Sequence, residues 1–128
     1  ELATEAARSV LPSDVPHGDA AFNASRAAML VLALQGRPDL LLEATGDRLH
    51  QGYRADSMPE SAEVLRALRE AEWPAVISGA GPSVLVFDKL DRRTRDLLAA
   101  RGFRSITAGI GSGARLIEES RGSDTTVR

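Results

Sequence analysis

The chain turns sharply at Ser78-Gly79-Ala80-Gly81-Pro82-Ser83, between two short apolar runs at residues 75–77 and 84–87. Both runs have the length and composition of buried strands, so the stretch between them predicts a tight turn inside the core. Its two glycines permit positive φ and let another group approach the main chain, while the proline stiffens the exit. Such a loop can present N–H groups to a phosphate, and it can equally be a hairpin turn without a ligand.

Composition narrows the class of protein. The 128 residues, 43% of them hydrophobic, predict one domain with its own core. Sixteen basic and eighteen acidic residues give a net charge of -2, and the arginines are scattered, so we expect no nucleic-acid partner. The chain has no cysteine and two isolated histidines, which predicts no metal site and fits the cytoplasm. The longest apolar run, residues 27–34, is far shorter than the roughly 20 residues that span a bilayer, so we expect no membrane partner.

The N-terminal segment predicts the end of a strand at residues 2–4 and a short helix at residues 5–10, which Thr4 would cap. Arg8 lies one helical turn after Thr4, so its guanidinium and the threonine hydroxyl would project near one another. The alternative is a capped helix whose arginine is solvated.

A long helix is predicted at residues 19–34, because apolar residues cover nearly all of its sides and Gly36 follows its end. This composition predicts burial. A narrow polar edge, which includes Asn23, faces either a cleft or water, and Asn23 is the candidate cleft residue.

A second helix is predicted at residues 39–49, followed by the polar segment His50-Gln51-Gly52-Tyr53-Arg54. That segment would form a polar pocket or simply the cationic end of a surface helix. His50 is disfavoured as a catalytic base, since the sequence identifies no partner for it.

A third helix is predicted from a capping box at residues 57–60 to about residue 71, and a fourth between Asp91 and Gly102. Residues 103–110 read as a final strand. The order of strand, helices, strand, strand, helix and strand predicts an α+β fold, a two-layer ferredoxin-like sandwich with an antiparallel sheet and helices on one face. We expect residues 1–118 to form this domain and residues 119–128 a flexible tail.

The glycine-rich stretch resembles the third motif of the GHMP small-molecule kinase superfamily. Further features resemble the C-terminal domain of its homoserine kinase family, in particular the actinobacterial members. They are Thr4-x-x-x-Arg8-x-x-Leu11-Pro12, the helix at residues 19–34, Tyr53-Arg54 and Met58-Pro59. The resemblance covers nearly the whole chain, and the combination is more specific than the glycine-rich stretch alone.

The resemblance implies transfer of the ATP γ-phosphate to the hydroxyl of L-homoserine, with Mg²⁺, in threonine biosynthesis. A phosphate-binding loop of the type P-x-x-x-G-L-G-S-S-A-A is absent from residues 1–128. The resemblance therefore implies that ATP, Mg²⁺ and the catalytic residues belong mainly to an N-terminal domain, the partner of this chain. The isolated chain is expected to be inactive. A homodimer is a possible assembly of the intact protein.

The resemblance also implies roles for particular residues. Thr4, Arg8 and Arg54 would bind the substrate, with the two guanidinium groups holding its carboxylate. The loop from Ser78 to Ser83 would support the phosphate end of the site. The alternative is that Arg8 and Arg54 are two separate surface arginines.

Two other functions remain in view. One is another GHMP kinase, acting on mevalonate or a sugar. The other is a ferredoxin-like module that binds a small molecule without catalysis, which a phosphate-binding loop upstream of Glu1 would exclude.

Overall fold

The structure, a computed structural model, describes residues 4–111 and has an α+β architecture. The α-helices are α1 (Thr4–Ser9), α2 (His17–Leu34), α3 (Leu41–Ala44), α4 (Gln51–Arg54), α5 (Pro59–Glu70) and α6 (Arg92–Ala100). The strands are β1 (Ala75–Ile77) and β2 (Val84–Val86), and short 3-10 turns lie at Pro38–Leu40 and Ala55–Ser57. The tail expected at residues 119–128 lies outside the described residues.

The hairpin around the glycine-rich turn is confirmed. Strands β1 and β2 pair antiparallel, with Ala75 opposite Val86 and Ile77 opposite Val84. Helix α5 packs on one face of this hairpin, and Leu98 of α6 joins the same buried cluster. The core therefore lies beneath the turn, and it holds both ends of the loop in place. Its fully or nearly buried members are Val64, Leu65, Leu68, Ala75 and Leu98.

Helices α5 and α6 lie where the sequence predicts them, but the capping box does not form. Helix α5 begins at Pro59 without a side-chain cap, because the preceding residues already form a 3-10 turn in which the Met58 N–H donates to the Ala55 carbonyl at 3.1 Å. Proline at the first helical position lacks an N–H and needs no cap there. Helix α6 is capped as expected, since the Asp91 carboxylate accepts from the Thr94 N–H at 2.6 Å.

The helix predicted at residues 39–49 is wrong in its second half. Helix α3 ends at Ala44, where the Thr45 hydroxyl donates to the carbonyls of Leu41 and Leu42 at 2.8 and 3.1 Å. Beyond it, the Asp47 carboxylate accepts backbone N–H groups that a continuing helix would have bonded internally. Side-chain bonds of this local kind compete with helix formation. Residues 45–50 are therefore a loop.

Helix α2 forms as predicted, beginning two residues earlier, but its expected burial is wrong. Ala33 is its only buried residue, and Val31, Leu32 and Leu34 are 54, 55 and 58% exposed. The helix makes its main contacts with α3 and the turn before it, and most of its remaining residues are exposed or half-exposed in the described chain. The apolar composition of the helix thus predicted a burial that is not observed in the described chain.

The predicted final strand is also wrong. Residues 103–111 adopt no regular structure, and Ile106 is 71% exposed. A strand needs a ladder partner, and none lies beside this segment in the described chain. At the other end, Thr4 begins α1 rather than ending a strand. No described helix is long and apolar enough to cross a membrane.

Candidate functional site

A cleft of about 380 Å³ opens beside the hairpin and contains the polar segment that follows α3. Its lining residues are Leu30, Ala44, Thr45, Gly46, Asp47, His50, Gln51, Arg54, Val76, Ile77, Gly79 and Phe87. A wider hollow of about 500 Å³ along α6 contains none of the residues singled out in the sequence. The cleft combines an apolar floor with a few convergent polar groups, as small-molecule sites do.

Arg54 joins three parts of the chain at this cleft. Its Nε donates to the Ala7 carbonyl of α1 at 3.0 Å, and its Nη1 donates to the Gly79 carbonyl of the glycine-rich loop at 3.1 Å. A guanidinium has five N–H donors, so three remain after these two bonds. The structure thus brings α1, α4 and the loop together at one partly exposed cation.

Arg8 follows Ala7 directly, so its backbone lies beside the Arg54 guanidinium. Its side chain is exposed and makes no ion pair with a carboxylate of residues 4–111. Thr4 is the first residue of α1, one turn before Arg8. The segment that carries both residues therefore adjoins the Arg54 end of the cleft.

The glycine-rich loop is closed by its own backbone. The Ser78 N–H donates to the Ser83 carbonyl at 2.8 Å, and the Gly81 N–H donates to the Ser78 carbonyl at 3.0 Å. The buried hydroxyl of Ser61, on α5, donates to the Pro82 carbonyl at 2.6 Å. These bonds fix the loop on the core helix.

The two glycines have different surroundings. Gly81 has φ +83°, and a Cβ there would lie 2.6 Å from the Met58 sulfur. Gly79 has φ +60°, and a Cβ there would meet no atom within 4 Å. Gly81 is therefore required by packing as well as by conformation, whereas the Gly79 side of the loop is open to an approaching group.

Asp47 organises the loop between α3 and α4. Its carboxylate accepts from the Asn23 side-chain amide at 2.7 Å, the His50 Nδ1 at 2.9 Å and the Gln51 backbone N–H at 2.6 Å. Burial alone would raise the pKa of Asp47, but these bonds, with that of the His50 backbone N–H, outweigh it and lower the pKa to about 2. Asp47 is therefore ionised at neutral pH.

Asn23 lies behind the cleft rather than among its lining residues. Besides the bond to Asp47, its side-chain oxygen accepts the Arg48 backbone N–H at 2.9 Å. Both ends of the amide thus hold the 46–50 loop. Its contribution to the cleft is made through Asp47.

Sequence reasoning missed Arg69, which braces the cleft from behind Thr45, whereas Gln51 belongs to the segment for which a polar pocket was predicted. Arg69 donates from α5 to Thr45 and Leu42, at the end of α3, and to the Ala75 carbonyl of β1. Gln51 accepts the Ile77 N–H at 2.7 Å. Nothing in the pattern of α5 distinguishes Arg69 from its exposed neighbours, whereas the polar density around Gln51 was a usable signal.

The partner of His50 was also missed. His50 lies three positions after Asp47, a spacing at which side chains can meet, and that spacing is visible in the sequence. Among residues 4–111, no group of three His, Cys, Asp or Glu residues is placed to hold a metal ion.

The sequence model of the family "GHMP kinases C terminal" matches residues 29–103, more than half of the chain. The chain belongs to this GHMP kinase family. The match includes Arg54 and the whole glycine-rich loop, while Thr4, Arg8 and Asn23 lie before it.

Curated relatives extend the similarity of this GHMP family member. It is 48% identical over 124 residues to a protein named homoserine kinase from Streptomyces coelicolor, covering 95% of the chain and 40% of that relative. It is 65% identical over 82 residues to the homoserine kinase of Streptomyces avermitilis, covering 64% of the chain and 27% of the relative. It is 60% identical over 83 residues to that of Corynebacterium efficiens, covering 65% and 27%. The chain thus spans less than half the length of these relatives.

Proposed function

We propose that the full-length protein is an ATP-dependent homoserine kinase, transferring the ATP γ-phosphate to the hydroxyl of L-homoserine in threonine biosynthesis. The observation that carries this proposal is the junction at Arg54, where a guanidinium with three donors left binds both α1 and the glycine-rich loop. The 48% identity to the Streptomyces coelicolor homoserine kinase supports it.

The substrate carboxylate binds at Arg54 in this proposal. A guanidinium presents a rigid fork of donors that matches a carboxylate, and such charge-assisted bonds are the strong ones. Arg54 contacts the Ala7 carbonyl, and the next residue, Arg8, supplies the second cation. Thr4 lies one helical turn before Arg8. Asn23 contributes by holding Asp47 and its loop.

The loop from Ser78 to Ser83 supports the phosphate end of the site. Its closure by internal bonds and by Ser61 makes it rigid, and its open side is at Gly79. Within residues 4–111, the N–H groups of Gly79 and Ala80 make no hydrogen bond. Two such donors next to one another can bind a phosphate oxygen of ATP.

The remaining parts belong, in this proposal, to an N-terminal domain that packs against this chain. That domain holds the phosphate-binding loop, most of the contacts to ATP, Mg²⁺ and the catalytic groups. We propose that residues 1–118 form the C-terminal domain, that this domain is a ferredoxin-like sandwich, and that residues 119–128 are a tail. The reaction takes place in the cytoplasm. Whether the full-length protein is a homodimer is tested by measuring its molar mass in solution.

A substrate panel on the full-length protein tests the function. Homoserine-dependent ADP release should exceed that with mevalonate or a sugar alcohol by orders of magnitude, since only the amino acid offers Arg54 a carboxylate beside an ammonium. Preference for mevalonate or a sugar would identify another GHMP kinase. If the protein binds a small molecule but phosphorylates none of these alcohols, it is a non-catalytic binding module.

Arg8→Ala tests the second cation of the proposed clamp. The variant should lower kcat/KM for homoserine by orders of magnitude and spare ATP affinity, because orientation of the substrate is lost while the nucleotide site is intact. Unchanged kcat/KM would remove Arg8 from the site.

A further inference from the structure

His50 is held in one tautomer by Asp47. The imidazole Nδ1 lies 2.9 Å from an oxygen of Asp47, whose carboxylate can only accept when ionised. The proton must therefore reside on Nδ1, which makes Nε2 of the neutral imidazole an acceptor. The ring is 49% exposed and lines the cleft, so Nε2, on the side of the ring away from Asp47, is accessible.

The other side-chain acceptors along the cleft are already occupied. Asp47 accepts from Asn23, from His50 and from the backbone of the following loop. The side-chain oxygen of Gln51 accepts the Ile77 N–H, and the Thr45 hydroxyl is bonded at α3. In the described part of the chain, no hydrogen bond engages Nε2 of His50. Among the side chains that line the cleft, Nε2 of His50 is therefore the acceptor left for a ligand cation.

The position of His50 relative to Arg54 indicates which cation that is. His50 precedes α4 and Arg54 ends it, so the two residues are four apart and their side chains can lie on one side of a helical turn. An amino acid carries its carboxylate and ammonium on the same carbon. The homoserine hydroxyl lies two carbons further along and must reach the phosphate end, at the glycine-rich loop.

We propose that Nε2 of His50 accepts a hydrogen bond from the ammonium of the amino-acid substrate whose carboxylate binds Arg54. His50 is then the residue of this cleft that distinguishes an amino acid from a plain hydroxy acid. Asp47 is its positioning residue, since it fixes the tautomer and the ring orientation. The inference rests on the kinase function proposed above and adds the recognition of the amino group.

His50→Asn in the full-length protein isolates Nε2. The asparagine amide can still donate to Asp47, so the loop keeps its anchor, but the acceptor is removed. The kcat/KM for L-homoserine should fall at least about tenfold, mainly through KM, as expected for loss of one charge-assisted bond. The inhibition constant of 4-hydroxybutanoate, which lacks the amine, should stay unchanged. His17→Asn, at the exposed start of α2, is the matched control and should behave as wild type.

The outcomes separate this inference from the function on which it rests. An active wild-type protein with an unimpaired His50→Asn variant overturns the role of His50 alone. An equal loss of affinity for homoserine and for 4-hydroxybutanoate also overturns it, because the effect would then be general disruption of the cleft. A wild-type protein without homoserine turnover overturns the proposed function, and this inference with it.

Discussion

Arg69 and Arg54 are two half-buried arginines, and they differ in how many protein oxygens their guanidinium groups bind and in their position, since Arg54 lines the cleft and Arg69 does not. Arg69 makes four bonds, to the Thr45 carbonyl and hydroxyl and to the carbonyls of Leu42 and Ala75, at 2.9 to 3.2 Å. Arg54 makes two, both to backbone carbonyls. Burial lowers the pKa of Arg69, and its neighbours are backbone and hydroxyl oxygens rather than carboxylates.

The difference separates scaffold from site. A half-buried cation that lies outside the cleft lining and bonds to four oxygens of the protein itself stabilises the fold rather than a ligand. A cation that is half satisfied by the backbone is held in place and still has donors for a ligand, which is the arrangement a positioned substrate contact requires. Arg69 should therefore control stability, and Arg54 should control activity.

Arg69→Ala gives the largest expected change in stability. Removal of the guanidinium leaves the carbonyls of Thr45 and Ala75 without this donor, and the Leu42 carbonyl keeps only the Thr45 hydroxyl, so the free energy of unfolding should fall by about 3 kcal/mol. Urea unfolding followed by the fluorescence of Trp73, the single tryptophan of the chain and a neighbour of the core, measures it.

Arg66→Ala is the control on the same helix. Arg66 makes an exposed pair with Glu70 at 2.8 Å, and its loss should change stability by less than about 0.5 kcal/mol. If the two variants unfold at the same urea concentration, Arg69 does not support the fold in the way proposed here.

The loop that Arg54 contacts offers a second comparison, between its two glycines. Gly81→Ala should cost about 2–3 kcal/mol, because positive φ is strained for alanine and the new Cβ would overlap the Met58 sulfur. Gly79→Ala has the strain without the overlap and should cost about 1 kcal/mol. The same urea experiment measures both, and a larger cost at Gly79 would contradict the packing described for this loop.

The Asp47 carboxylate makes the stability of the fold depend on pH. Its pKa is about 2 in the folded chain against an ordinary value of 3.8, so its stabilisation is present above about pH 4 and is lost as the pH falls towards 2. The side chain is 13% exposed, and with allowance for solvent screening the contribution is about 1–2 kcal/mol. Unfolding free energies at pH 6 and pH 3 measure it.

Asp47→Asn is the control for that pH dependence. The variant cannot ionise at this position, so it should be less stable than wild type at pH 6 and should lose less stability between pH 6 and pH 3. Equal losses in the two proteins would place the acid sensitivity at other carboxylates.

The parts of the fold that the sequence predicted are those whose partners are near in the chain. Helix α5, the hairpin and α6 follow one another and bury one another, so their local patterns were sufficient. Helix α2 keeps several apolar side chains exposed in the described chain, so its composition misled the prediction of burial. The loop at residues 45–50 depends on Asp47 and on Asn23, which is 24 residues before Asp47. Residues 103–110 have strand composition without a strand beside them.

The same division holds for the cleft. Arg54 and the glycine-rich loop could be singled out because their segments are chemically distinctive, and the structure joins them through the Gly79 carbonyl. Arg69 could not, because its role arises from contacts with Leu42, Thr45 and Ala75 on three other segments. Sequence pattern identifies unusual composition, and it does not identify an ordinary arginine whose role depends on contacts with distant segments.

The central claim is that Arg54 holds the carboxylate of homoserine, and kcat/KM of the full-length Arg54→Ala variant tests it most directly. Because Arg54 also binds two backbone carbonyls, the variant is compared at a temperature where tryptophan fluorescence shows it folded, beside Arg66→Ala. We predict a loss of at least about 100-fold for homoserine with ATP affinity retained, and no loss for Arg66→Ala. A folded Arg54→Ala protein with wild-type kcat/KM for homoserine would contradict the account.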